Sequence, residues 1–109
     1  MSEHRQAATY MDKVKKYDSG ADEAHVQKIV NYLGVTLMNN DAKLVSCSDQ
    51  KELDRVRDGF AAKKLGMDAA TAEAAIKDVC EAMAGDKSQK SRVAFYYMLA
   101  KNAGKLGDL

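Results

Sequence analysis

Cys47 is the side chain in this sequence whose type and setting best suit nucleophilic chemistry. It lies in Ser46-Cys47-Ser48, just ahead of an expected helix start, where the helix dipole would lower a thiol pKa. A catalytic cysteine also needs a base, usually a histidine. His4 and His25 stand alone, and neither is placed beside Cys47 by spacing or belongs to a Cys/His cluster of zinc type. Small residues ahead of a helix cap account for Ser-Cys-Ser equally well. Cys47 is therefore carried as a candidate reactive thiol, and the second cysteine, Cys80, as a core residue on an apolar stripe. The two are read as reduced thiols of a cytoplasmic protein, with a Cys47–Cys80 disulfide as the alternative the sequence leaves open.

Paired carboxylates occur at Asp54/Asp58 and Asp78/Glu81, at helical spacing and flanked by Arg55, Arg57 and Lys77. Acid–base work would require burial to separate their pKa values, so they read as solvated helix faces. There is no glycine-rich phosphate loop, G-x-S-x-G elbow or H-E-x-x-H in the chain. Lys90 and Arg92 precede Phe95-Tyr96-Tyr97, and interleaved cations and aromatics can stack on single-stranded nucleic acid. Consecutive aromatics on one helix fan over about 200°, so at least one tyrosine is expected at a rim, where tyrosine favours interfaces. Lys90, Arg92, Tyr96 and Tyr97 thus form the expected interaction surface, with Tyr32 as another rim aromatic.

These residues need helices to position them, and the sequence supplies helical signals throughout. Helix formers abound and proline is absent. A first segment near Arg5–Tyr17 carries Met11, Val14 and Tyr17, and its start is expected to fray. Asp22 can cap a second helix with Val26, Ile29, Val30, Leu33 and Leu37 on one face. Asn39-Asn40-Asp41 has turn chemistry, and Leu44–Cys47 could run extended. Asp49 and Glu52 have capping-box spacing ahead of a third helix to about Lys64. Asp68 caps a fourth to about Ala84, and Ser88 or Ser91 starts a fifth that Gly104 stops. The expected fold is all-α, a compact bundle of about five short helices over residues 11–109. Residues 1–10 are expected to be a flexible extension.

Charge is sorted along the chain. Residues 66–85 carry Asp68, Glu73, Asp78 and Glu81 against Lys77, whereas residues 86–105 carry Lys87, Lys90, Arg92, Lys101 and Lys105 against Asp86. Complementary packing of the acidic fourth helix on the basic fifth is the simpler reading; a basic strip for an anionic partner is the sharper one. The segment 61–79 imitates a helix-turn-helix, but its second helix opens with Asp68, Ala69, Ala70, Thr71, Ala72 and Glu73. That opening has no side chain suited to reading base edges, and its carboxylates would repel phosphate.

The 109 residues carry 17 basic and 16 acidic side chains, which suits one domain and excludes a highly charged, disordered chain. No apolar run approaches the ~18–20 residues a membrane span requires, and Met1–Met11 has no apolar signal core. Several strings resemble one family: Lys13-Val14-Lys15-Lys16-Tyr17, Leu44–Asp49, Glu52–Asp58, Lys63–Gly66, Lys90–Tyr97 and Gly104–Gly107. Over about Met11 to Gly107 the chain is similar to short proteobacterial proteins grouped as a domain of unknown function. The resemblance implies a wholly helical fold and a bacterial origin, and implies no activity, cofactor or catalytic residue. The expected function is a small, cytoplasmic, non-catalytic protein-interaction module without cofactor or membrane attachment, homodimeric through helix five. Weak nucleic-acid binding through the basic C-terminal helix is the alternative.

Overall fold

A computed structural model describes residues 6–38, 43–87 and 89–109. A 3-10 turn over Ala7–Thr9 leads into the short helix α1 (Met11–Lys15). Four longer helical stretches follow, each opened by the polar residue that precedes it. Asp22 accepts from the Ala24 N–H at 2.9 Å and starts α2 (Glu23–Leu33). Asp49 accepts from the Lys51 and Glu52 N–H groups and starts α3 (Gln50–Val56). Asp68 accepts from the Thr71 N–H at 2.7 Å ahead of α4 (Ala69–Ala82), and these donors hold its carboxyl below the usual range. Ser91 caps α5 (Arg92–Asn102) through the Ala94 N–H at 3.4 Å. Each cap satisfies donors that the first turn leaves open, worth about 1 kcal/mol apiece.

The third helix does reach Lys64, but its second half, Arg57–Lys64, is π-helical. The widened turns contain Gly59, a weak α-helix former, and close with the Leu65 N–H on the Phe60 carbonyl at 3.1 Å. Gly66 (φ +67°) and Gly104 (φ +70°) then let the chain leave its helices in a conformation that L side chains resist. Leu44 forms an isolated antiparallel bridge to Ser91, and the Val45 N–H donates to the Lys90 carbonyl at 2.9 Å. The extended run thus lies against the entry to α5. The Asn39–Asp41 turn, Ser88 and His4 lie outside the described residues.

Helix α5 is the axis of the molecule. Every residue from Lys90 to Ala100 is buried, with α1, α2 and α4 packed around it. Fully burying one large apolar side chain is worth roughly 1.5–3 kcal/mol, so α5 anchors the core of this all-α bundle. The N-terminal boundary needs correcting. Ala7 and Tyr10 are buried, and the Ala7 N–H donates to Gln27 Oε1 at 2.9 Å. The packed domain therefore includes residues 7–10, which the sequence had placed in a flexible extension.

Candidate functional site

Cys47 and Cys80 are joined in a disulfide, with Cα atoms 6.0 Å apart, inside the range of about 4.4–6.8 Å that such bridges span. The expectation of two reduced thiols, with Cys47 as a free nucleophile, is corrected. That expectation rested on compartment; the fold brings the turn before α3 against the last turns of α4. Cys80 is corrected as well, since it is half-buried instead of enclosed in the core.

The bridge lines an open groove of about 340 Å³ between the α3 stretch and α4. Leu53, Ile76 and the two cysteines supply its apolar surface, and Gln50, Asp54, Arg57, Glu73 and Lys77 its polar one. Arg57 organises that polar side. Its guanidinium lies 3.3 Å from Asp54 and 2.8 Å from both Asp58 and Glu73, tying the π-helical segment to α4. Hydrogen bonds from Arg57 hold the Asp58 carboxyl below its ordinary value. Of the carboxylate pairs, Asp78/Glu81 stays exposed as expected, whereas Asp54 joins the groove. The groove is not legible in the sequence. Leu53 and Ile76 were legible only as stripe residues, and Arg57–Glu73 bridges separate elements.

Cys47 also lines a second open hollow of about 400 Å³, together with Ser46, Ser48, Lys87 and Lys90. Lys87 takes φ +52°, a strained state for a residue other than glycine. Its carbonyl accepts from Lys90 Nζ.

The interaction surface expected on helix five is not on the outside. Relative exposure is 8% at Lys90, 8% at Arg92, 7% at Tyr96 and 1% at Tyr97. Fanning aromatics all find cover because neighbours surround α5 on several sides, a possibility the single-face argument omitted. Arg92 pairs with Glu52 and donates to the Leu44 carbonyl at 3.3 Å. Its guanidinium also reaches the Tyr96 hydroxyl at 3.4 Å. The Tyr97 hydroxyl donates to Asp18 at 2.7 Å. The basic α5 is therefore complemented by Glu52 of α3 and by Asp18, which also lies 3.5 Å from Lys101, and those pairs do not involve α4. Tyr32 is a rim aromatic as expected, 42% exposed, with its ring 5.2 Å from Phe60 and Lys64 Nζ 5.8 Å above it.

Among the described residues, no group of three or more His, Cys, Asp or Glu could hold a metal ion. No helix is long and apolar enough to cross a membrane, again among those residues. Fold and groove define a small all-α domain with a disulfide beside an open cleft. The chain belongs to the family described as "Protein of unknown function (DUF2853)", which it matches over residues 9–107. Among curated proteins no relative matches it.

Proposed function

We propose that this chain is a non-catalytic, cytoplasmic protein-interaction module whose groove accepts an apolar side chain from a segment of a partner protein. The observation behind this reading is the groove itself. Leu53, Ile76 and the disulfide offer an apolar floor, and Gln50, Asp54, Arg57, Glu73 and Lys77 offer a polar edge, the anatomy of a small protein interface. Charges of both signs on that edge suit a partner segment with a large apolar residue flanked by charged ones. The non-catalytic reading draws on Arg57, which is engaged by Asp54, Asp58 and Glu73, and on the solvent exposure of the Asp54 and Glu73 side chains, 41% and 59%.

Peptides selected from a random display library against the native chain should converge on an apolar residue between charges. Lys77→Glu, at the exposed groove edge, should weaken their binding severalfold, and Lys28→Glu, exposed on α2, should not. Selection without a shared motif, or binding indifferent to both Lys77→Glu and Leu53→Ala, rejects the reading.

Nucleic-acid binding by the basic C-terminal helix has less support, because Lys90 and Arg92 are buried and Arg92 is paired with Glu52. A homodimer through α5 loses its tyrosines for the same reason. We read the module as a monomer, and light scattering should return 11.9 kDa at high concentration. A mass twice that would restore a homodimer, with Tyr32 and the exposed Met38 as its apolar contacts.

A further inference from the structure

We propose that Cys47–Cys80 is an exchangeable disulfide, opened in the folded protein by a small-molecule thiol that enters through the groove. The inference stands apart from the peptide-binding reading, since it needs only access to the bridge. Access is the first observation. Both cysteines are half-buried and line the open cleft, so a thiolate can reach a sulfur without the core opening. The second is the setting of Cys47. Cys47 also lines the hollow shared with Lys87 and Lys90. Cations beside a sulfur stabilise its thiolate, and the sulfur with the lower pKa leaves faster in exchange. Lys87 occupies its place there at φ +52°. The third is what the bridge fastens. The bond ties the turn before α3 directly to α4, whereas the ties of Leu44, Val45 and Glu52 run to the start of α5.

These features assign the roles. The incoming thiolate attacks Cys80 Sγ and forms a new S–S bond there. The Cys47–Cys80 bond breaks, and its electron pair leaves on Cys47 Sγ as a thiolate beside the hollow that Lys87 and Lys90 also line. A second thiolate then attacks the small molecule's sulfur in the mixed disulfide. It releases the Cys80 thiolate and carries away the oxidised thiol as its own disulfide. Two electrons pass from the two small thiols to the bridge, and water supplies protons to whichever product thiolates take them up. In a reducing compartment, bridges of this kind are transient and report redox state.

The test is reduction of the native chain by reduced glutathione, read as free thiols by alkylation and intact mass. The expected rate rises in proportion to glutathione concentration and is unchanged by low urea, as attack on the folded state requires. A rate that levels off at a value independent of glutathione, or that appears only as the chain unfolds, overturns the proposal. Rapid alkylation of the intermediate followed by peptide mapping should place glutathione on Cys80 and the alkyl group on Cys47. The reverse placement overturns the assignment of the leaving sulfur. Lys87→Gln, at an exposed position, should slow the reaction about twofold, the order of effect of one unit charge acting through water. An unchanged rate likewise overturns the leaving-group role.

Discussion

Tyr97 and Asp18 meet across 79 positions of sequence, and that one hydrogen bond links burial to acid stability. The Tyr97 hydroxyl holds the Asp18 carboxyl below its ordinary value, outweighing partial burial, with Lys101 adding to the effect. A lowered folded-state pKa contributes stability at pH above the unfolded carboxylate value of about 3.9, and the contribution is lost as pH falls through the folded value. Tyr97→Phe keeps the ring and removes the donor. It should cost roughly 1–3 kcal/mol near neutral pH and flatten the loss of stability on acidification, measured by urea unfolding at several pH values. An unaltered acid limb would show that Asp18 draws its shift from elsewhere. Caps such as Asp22, Asp49, Asp68 and Ser91 were readable because they act within a few residues. The partners of Arg92 and Tyr97 were not, because chain topology alone brings them together.

At the scale of elements, α3 is held at one end by a buried ion pair and along its continuation by an exposed one. Arg92 and Glu52 side chains are 10% and 14% exposed, whereas Glu73 in the Arg57 pair is 59% exposed. Removing one partner of a buried pair strands a charge, at about 3–5 kcal/mol; an exposed pair is worth about 0–1 kcal/mol. Glu52→Ala should therefore destabilise far more than Glu73→Ala in parallel denaturant titrations, and equal costs would reject the difference in burial. Glu52 is also where local pattern misled. Its spacing from Asp49 suggests a reciprocal capping box, and Asp49 does cap α3, but Glu52 reaches to α5. The π-helical stretch escaped the sequence because apolar positions such as Val56 and Phe60 fit either helical form.

Across the whole molecule the disulfide encloses α3, its π-helical continuation and α4 in one loop, with the cysteines 33 positions apart. Closing a loop of that size removes unfolded-state entropy worth about 3–4 kcal/mol, a large share of a typical stability of about 5–15 kcal/mol. A Cys47→Ser/Cys80→Ser double variant should lose about that much in guanidinium unfolding, and a loss near zero would mean the reduced chain is already constrained there. Helix count and fold class were legible from apolar periodicity and from glycines after helix ends. The outer surface was not. Which helix becomes the axis depends on how many neighbours each face acquires, and α5, with apolar or aromatic residues on every side, was the candidate for that place.

A central helix drawn from residues 92–102 also sets a timetable for synthesis. While the ribosome delivers α1 through α4, the sides that α1, α2 and α4 turn toward α5 have nothing to close upon. Their hydrophobic residues stay open to chaperones and to one another until α5 leaves the exit tunnel. Assembly of this bundle then waits for α5, and a chain cut short before Ser91 would lack the helix on which α1, α2 and α4 pack.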